Sequence, residues 1–268
     1  MMLSLPERSF AEMMYFDTHT HLTDERYDAD RAALLASLPE RGLSLALDVA
    51  CALEDFPKTL ALTQQYGWIY GAYGVHPHYA AEVPAGYLET IASILQDPKA
   101  KALGEIGLDY YYDFAPRETQ CRVFAEQLEL AQSLGIPVVL HVREAFGDCM
   151  DILRAHKASG IRGVMHCFSG SVEIARECLE LGLHIALGGA VTFKNAHKPL
   201  EAAAYVPLDR LLLETDCPYL TPVPYRSKRN DPSYIPLVAE KIAATRGMDA
   251  EELMRITLEN GKQLFDIS

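Results

Sequence analysis

Short apolar runs rich in β-branched residues alternate with helical patterns along the whole chain. Between the runs, apolar residues recur at the 3.6-residue spacing of an amphipathic helix, most clearly over residues 118–134. Strands and helices that alternate in this way are typical of a parallel sheet built from βα units. The eight predicted strands cover residues 14–18, 43–49, 69–74, 102–106, 138–141, 163–166, 184–187 and 210–214.

Eight βα units in a chain of about 250 residues favour the α/β class and a single (β/α)8 TIM barrel. A doubly wound open sheet is the alternative. We predict one domain over residues 1–268, with residues 1–13 as a flexible or extra N-terminal segment. A proline-rich loop at 221–236 precedes two predicted helices, 236–245 and 250–264. Long loops in compact domains are more often functional than idle.

The composition narrows the class of protein. Hydrophobic residues make up 49% of the chain and charged residues 23%, which excludes a disordered tail protein and a collagen-like chain. The chain has 24 Lys and Arg against 37 Asp and Glu, a formal charge of −13. A protein that coats nucleic acid through a long basic face would be cationic. Any contact with nucleic acid is therefore expected to be local.

The six cysteines contain no CxxC pair, and we expect them to be reduced and mostly buried. The first residues lack the apolar core of a secretory signal, and no run of about 18 apolar residues is present. We therefore expect a cytoplasmic protein with no membrane contact. No protein partner can be inferred.

Candidate metal-binding side chains lie where the predicted strands end. His19 and His21 occupy positions i and i+2, so their side chains point to one side of a strand and face one ion together. Active sites of barrels gather at the carboxyl ends of the strands. The other groups at strand ends are His76 and His78, Glu105 and Asp109, His141 and Arg143, His166, and Glu214 and Asp216.

The residue types point to divalent cations. Imidazole and carboxylate groups together suit Zn, Mn, Co, Ni or Fe, whereas Mg prefers oxygen ligands. Six groups of these kinds already exceed the four ligands of one tetrahedral zinc. They are His19, His21, Glu105, His141, His166 and Asp216. A carboxylate among them can bridge two ions. A pair of ions suits displacement at phosphorus. We expect one or two divalent ions per chain, with Zn, Mn, Mg, Ni or Co as candidates.

Several strings together resemble the TatD family of metal-dependent hydrolases, within the amidohydrolase-like barrels. The resemblance covers the chain from about residue 16 to its C-terminus. It implies a (β/α)8 barrel, one or two divalent cations, and phosphodiester hydrolysis on DNA. The strings that carry it are FDTHTHL, GVHPH, GEIGLDYYYD, HVREA, HCFSG, TFKNA, LLLETDCPYLTP and PYRSKRNDP.

The resemblance also implies a role for each metal ligand. His19 and His21 match the HxH pair, which is expected on the first metal. Glu105 matches the glutamate of the GEIGLD string, which is expected to bridge both metals. These three residues and the bridging role come from the family's pattern and not from spacing alone.

The remaining roles follow in the same way. His141 and His166 match histidines expected on the second metal. Asp216 matches the aspartate expected to bind metal and to orient or deprotonate the attacking water. His76 matches an active-site histidine that is not an assured ligand, and it is a candidate for protonating the leaving oxygen. The predicted catalytic groups are thus Asp216, Glu105 and His76.

Substrate-side residues follow from chemistry and position. Guanidinium groups match phosphate bidentately, so we predict that Arg143 and Arg226 bind substrate, together with Lys194 and His78. The neighbouring Lys228 and Arg229 stay open between substrate binding and a solvated loop. Residues 110–112, three consecutive tyrosines, are open between packing in the barrel wall and stacking on bases.

We therefore expect a TatD-like deoxyribonuclease, a metal-dependent hydrolase of ester bonds that acts on single-stranded DNA or DNA ends, with RNA as a further candidate. The first alternative is an amide or ester hydrolase on the same barrel, including one that deacylates aminoacyl-RNA, because the ligand set does not separate these chemistries. The second is a non-catalytic metal-binding or nucleic-acid-binding protein. The presence of both Glu105 and Asp216 argues against the second alternative.

Overall fold

The computed structural model describes residues 14–268, so the predicted N-terminal segment 1–13 lies outside the described residues. Within that range, eight strands form one sheet in chain order, each parallel to its neighbours. They are β1 (Tyr15–Thr20), β2 (Leu43–Ala50), β3 (Ile69–Tyr73), β4 (Ala100–Asp109), β5 (Val138–Arg143), β6 (Gly163–Met165), β7 (Leu183–Leu187) and β8 (Leu211–Leu213).

The last strand returns to the first. Thr20 forms a parallel bridge with Cys217, and the backbone N–H of Asp216 donates to the carbonyl of His19 at 3.0 Å. The N–H of His21 donates to the carbonyl of Cys217 at 2.9 Å. The predicted barrel is confirmed. The doubly wound alternative is wrong, because such a sheet keeps two open edges and reverses its strand order.

Helices follow the strands and cover the outside of the barrel. The predicted helix 118–134 is observed as Arg117–Leu134, and the two C-terminal predictions agree to within one residue. No helix of the described part is both long and apolar enough to cross a membrane. The helices are α1 (Arg31–Ser37), α2 (Phe56–Gln65), α3 (Tyr87–Ile94), α4 (Arg117–Leu134), α5 (Phe146–His156), α6 (Val172–Glu180), α7 (His197–Tyr205), α8 (Ile235–Arg246) and α9 (Ala250–Leu264).

The barrel interior is a separate apolar cluster to which every strand contributes. Side chains at the end of α9 join this cluster and close the amino end of the barrel, where Phe265 meets Phe16 edge-on at 6.0 Å. Gly261 permits this approach, because a Cβ there would lie 2.5 Å from Cδ1 of Phe16. The interior residues from the strands are Phe16, Leu47, Val49, Ala72, Ala102, Val139, Val164, Ala186 and Leu212.

Two strand boundaries differ from the prediction in a way that matters for the site. β4 continues to Asp109, because it pairs with β5 from Leu103 to Asp109. Glu105 therefore lies inside a strand and not at its end. β8 ends at Leu213, so Asp216 lies in the loop that follows.

Candidate metal centre

Four predicted ligands form a compact group at the carboxyl end of the barrel. Nε2 of His19 lies 3.2 Å from Nε2 of His21 and 3.3 Å from Oε2 of Glu105. Oδ1 of Asp216 lies 3.4 Å from Nε2 of His21 and 3.9 Å from Nε2 of His19. Ligands about 2.1 Å from a tetrahedral ion would be about 3.4 Å apart. The two nitrogens and two oxygens therefore fit one divalent cation.

The other oxygen of Glu105 faces a second group of nitrogens. Oε1 lies 2.8 Å from Nδ1 of His141, 3.6 Å from Nε2 of His76 and 3.7 Å from Nε2 of His166. A single buried carboxylate thus presents one oxygen to each group. This arrangement is what a bridging ligand between two ions requires.

His166 and His76 lie closer to the centre than their predicted roles imply. Nε2 of His166 is also 3.9 Å from Oδ1 of Asp216, and its ring stacks on that of His19 at 3.5 Å. It therefore faces both groups and not the second alone. His76 lies as near to Glu105 as His166 does, and the set His76, Glu105 and His141 is compact enough to hold an ion.

Carboxylates behind the donor atoms orient the histidines. Oδ2 of Asp109 accepts from Nε2 of His141 at 3.1 Å, and Oε2 of Glu214 accepts from Nδ1 of His166 at 3.0 Å. Nδ1 of His21 donates to the carbonyl of Val49 at 2.9 Å. Such partners fix the ring and the tautomer of a metal-binding histidine.

Asp109 and Glu214 were candidates only by their position at strand ends, and no role was predicted for them. The signal was present, since each shares a strand-end string with a predicted ligand. In contrast, Nδ1 of His19 is buried and has no hydrogen-bond partner in the described structure. Nε2 is the ring nitrogen that faces the donor group, and when Nε2 binds an ion the ring proton lies on the unpaired Nδ1.

The protonation states follow from this crowding. Burial favours the neutral form of Glu105, but the nearby His76, His19 and His166 and a hydrogen bond from His141 outweigh it and hold the pKa of Glu105 well below its usual range. Burial likewise opposes ionisation of Asp216, and the hydrogen bond with His21 lowers its pKa. Both carboxylates are anionic, as cation ligands must be.

The histidines of the centre fall into two groups, one with lowered and one with raised pKa values. Burial lowers the pKa of His19 and, more strongly, that of His76. Burial acts in the same direction on His166, but the charge of Glu214 overcomes it and raises the pKa of His166 to about 9. The pKa values of His21 and His141 are also raised, despite burial, by nearby acidic groups that include Asp216 for His21 and Asp109 for His141.

A buried aspartate holds β1 against the loop after β8. The carboxylate of Asp17 accepts from the backbone N–H of Thr215 at 2.9 Å and from its hydroxyl at 2.5 Å. Burial raises the pKa of Asp17 to about 8. Asp17 is thus a structural neighbour of the ligands, and it fixes His19 and Asp216 relative to each other.

Two thiols also lie near the donor groups. Sγ of Cys51, at the end of β2, lies 3.7 Å from Oε2 of Glu105. Cys167 is half-buried, and its Sγ is within 4.8 Å of donor atoms of His166 and Asp216. Cys167 can face the same donors as His166, because β6 ends at Met165 and strand alternation no longer applies. All six cysteines are unpaired, and Cys217 is fully buried.

The predicted substrate-side residues lie on β5 or in loops that follow barrel strands, and their environments differ. Nε2 of His78 donates to Asp109 at 3.0 Å. Arg143 is exposed on β5, two residues beyond His141. Lys194 and Arg226 are exposed in the loops after β7 and β8, and the guanidinium of Arg226 lies 3.7 Å from the ring centre of Phe193.

Lys228 and Arg229, whose roles the sequence leaves undecided, have different surroundings in the structure. Arg229 makes a bidentate ion pair with Asp30, with N–O distances of 2.8 and 2.7 Å. It also lies over the ring of Tyr27. Arg229 is therefore committed to holding the loop, whereas Lys228 is exposed. The three consecutive tyrosines also differ in their surroundings. The hydroxyl of Tyr110 donates a hydrogen bond to Asp148, whereas Tyr111 and Tyr112 are exposed.

Comparisons with known proteins find relatives along almost the whole chain. The metal-dependent hydrolase YabD of Bacillus subtilis, described as uncharacterized, is 42% identical over 255 residues, which cover 95% of this chain and 100% of YabD. A protein of Musicola paradisiaca named 3′-5′ ssDNA/RNA exonuclease TatD is 34% identical, covering 93% of this chain and 97% of its own.

Solved structures give the same result. The crystal structure of YjjV, a TatD homologue from Escherichia coli K12, superposes with a TM-score of 0.88 at 32% identity, covering 95% of this chain and 98% of that one. The model of the family described as TatD related DNase matches residues 16–266. The chain therefore belongs to the TatD family of metal-dependent hydrolases.

Proposed function

We propose that this chain is a divalent-metal-dependent phosphodiester hydrolase that acts on single-stranded DNA or DNA ends, with RNA as a further candidate substrate. The observation that carries the proposal is the position of Glu105, whose two oxygens face two separate groups of donors. A two-ion centre is suited to in-line displacement at phosphorus, since it stabilises both the attacking and the leaving oxygen. Relatives of this chain are named as single-strand exonucleases.

The donor set fits the cations that the family name implies. We assign His19, His21, Glu105 and Asp216 to one ion. The second ion would be held by Glu105 with His141 and His166, two of the histidines that face its Oε1. When bound, divalent cations lower the pKa of water and offset negative charge on the phosphate.

The protein groups perform the remaining steps. The Asp216 carboxylate is anionic, and its side chain is partly exposed. It therefore orients a water molecule and accepts one of its protons as the oxygen attacks phosphorus. The bond from phosphorus to the leaving oxygen breaks as the new bond forms. Arg226 and Arg143 are exposed cations that can bind the phosphate oxygens.

His76 is suited to donate a hydrogen bond from Nε2, and not to bind an ion or to act as the predicted acid. Its Nδ1 accepts from the backbone N–H of His78 at 3.2 Å, which places the proton of a neutral ring on Nε2. Burial holds the pKa of His76 well below its usual value. The leaving oxygen is therefore expected to take its proton from solvent.

The acidic charge of the chain is compatible with an anionic substrate under this proposal. Bound cations reverse the sign of the local field at the mouth of the barrel. Contact with nucleic acid would then be weak and sensitive to salt. We propose the cytoplasm as its compartment, because six unpaired thiols suit reducing conditions.

The decisive experiment is metal-dependent cleavage of a 3′-labelled single-stranded oligonucleotide by chelator-treated protein. Mg, Mn, Zn, Ni and Co are added back separately, and Asp216→Asn is compared with Asp209→Asn, a change at an exposed aspartate that precedes β8. We expect activity to return with metal, to fall at least a hundredfold in Asp216→Asn, and to be unchanged in Asp209→Asn.

The same protein samples test the alternative chemistry. Amide and ester substrates, including an aminoacyl-RNA, are assayed in parallel. Cleavage of these substrates without cleavage of any phosphodiester would replace the proposed function. Full activity of metal-loaded Asp216→Asn would leave the reaction class standing and remove the role given to Asp216.

A further inference from the structure

Three exposed aromatic side chains follow β4 in the loop that leads away from Glu105. The exposed fractions are 55% for Tyr111, 48% for Tyr112 and 66% for Phe114. We call these three residues the aromatic platform. Large apolar side chains that remain exposed together mark a binding surface, because packing in the barrel wall would have buried them.

The three rings lie side by side and form an exposed surface. The rings of Tyr112 and Phe114 are nearly parallel, with centres 5.3 Å apart and planes inclined by 23°. Tyr111 meets Tyr112 edge-on at 5.0 Å. A planar partner can therefore lie against an exposed ring face without moving the loop.

One carboxylate connects the platform to the metal centre. Oδ1 of Asp109 accepts from the backbone N–H groups of Tyr111 and Tyr112 at 3.0 and 2.9 Å. Its Oδ2 binds Nε2 of His141 at 3.1 Å and Nε2 of His78 at 3.0 Å. The platform therefore has a fixed position relative to a donor of the candidate centre.

His78 fills the space between the platform and the centre. Its ring lies 5.3 Å from that of Tyr112 and 4.8 Å from that of Phe114, both edge-on. On its other side the ring of His76 is 4.2 Å away. The platform thus begins one side chain beyond the histidines that face Glu105.

A cation completes this surface. The guanidinium of Arg143 lies 3.9 Å from the ring centre of Tyr111 and 4.7 Å from that of Tyr112. Among residues 14–268, Arg143 makes no ion pair with a carboxylate, so its N–H groups are available to an anion. Exposed rings beside a free guanidinium match a base and its phosphate better than they match an apolar protein surface.

We propose that the aromatic platform stacks the unpaired nucleobase next to the phosphodiester at the metal centre, while Arg143 binds the adjoining phosphate. This inference rests on the proposed function and specifies its substrate. A base can stack there only when it has left the helix, so the platform selects single strands and frayed ends over paired duplex. It is tolerant of sequence, because every base has a π-face.

The first test uses variants of the full chain on a single-stranded oligonucleotide. Loss of one stacked base corresponds to about a 5- to 150-fold change in binding. We expect the pair of changes Tyr112→Ala and Phe114→Ala to raise KM at least tenfold while kcat changes less. Tyr112→Phe should retain the low KM. The matched control is Tyr205→Ala, a change at a tyrosine on α7 that is 40% exposed.

The second test changes the substrate and needs no variant. A single abasic nucleotide is moved through the three positions nearest the cleaved bond. The unmodified chain should lose affinity at one of these positions, and the double variant should be indifferent to it. In Asp216→Asn, which holds the substrate uncleaved, 2-aminopurine at that position should lose fluorescence on binding, and this quenching should vanish when the platform is also removed.

The outcomes separate the two proposals. Cleavage that is equally sensitive to base removal in the unmodified chain and the double variant would overturn the platform and leave the nuclease standing. Quenching that depends on the platform, with no phosphodiester cleaved under any metal, would overturn the nuclease and leave the base-binding surface standing. A KM in Tyr112→Phe as high as in the double variant would also overturn stacking, since Tyr112→Phe retains both rings.

Discussion

The two ends of the barrel are formed by the same eight strands, yet their chemistry is opposite. At the amino end, Phe16 and Phe265 pack within an apolar cluster that excludes water. At the carboxyl end, Glu105 and Asp216 are surrounded by five histidines. Apolar burial stabilises the first end. At the second end desolvated charges cost free energy that a cation offsets. Substitutions at the amino end should therefore lower the stability of the fold, whereas substitutions at the carboxyl end should lower activity.

The largest effect is expected when the bridging carboxylate is removed. Glu105→Gln leaves one acceptor oxygen, so the amide cannot serve both donor groups, and activity on single-stranded DNA should fall roughly a thousandfold. Metal analysis after dialysis should show at least one ion fewer per chain. Glu240→Gln, an exposed change on α8, is the control. Unchanged metal content would contradict the bridging assignment.

The amino end should respond in the opposite way. Phe265→Ala removes a fully buried ring that meets Phe16, and should lower the free energy of unfolding by about 3–5 kcal/mol. Activity per folded molecule should be retained. Denaturant unfolding measures the first quantity, and Leu134→Ala, at a 41% exposed position, is the control. A loss of activity without a loss of stability would show that the two ends are coupled.

Metal affinity should rise with pH at the carboxyl end. His166, with a pKa of about 9, and His21, whose pKa is raised well above its usual value, carry an extra proton at neutral pH in the metal-free chain. An ion must displace these protons, so affinity should rise up to about tenfold per pH unit for each proton released, until pH 9. Calorimetric titration in buffers of different ionisation enthalpy counts the protons. A flat profile would contradict these states.

The smallest effect concerns His184 at the amino end of β7. Burial, and then the charge of Arg210, lower its pKa to about 4, so the folded chain holds it neutral. Its contribution to stability is complete above the unfolded pKa near 6.5 and is lost as pH falls toward 4, by at most about 1 kcal/mol per unit. Unfolding measured at pH 7, 6 and 5 should show this slope, and His184→Gln should reduce it. An unchanged slope would assign it to other groups.

Periodicity predicted the barrel because each βα unit carries its own local signal. The strings at the strand ends identified His19, His21 and the other donors, since a parallel barrel brings all carboxyl ends together. The length of β4 was missed, because the pairing of Asp109 with Arg143 is a contact between distant segments. The approach of Cys51 to Glu105 has no local signal either, because it depends on how β2 and β4 are placed around the barrel.

The hydrogen bonds between Asp17 and Thr215 join positions 198 residues apart. A ribosome that releases the chain from its N-terminus exposes the donors of β1 long before Asp216 exists. The ion site formed by His19, His21, Glu105 and Asp216 is thus assembled only when the end of the barrel has been synthesised. A metal-dependent hydrolase assembled in this way gains its complete donor set only late in its own synthesis.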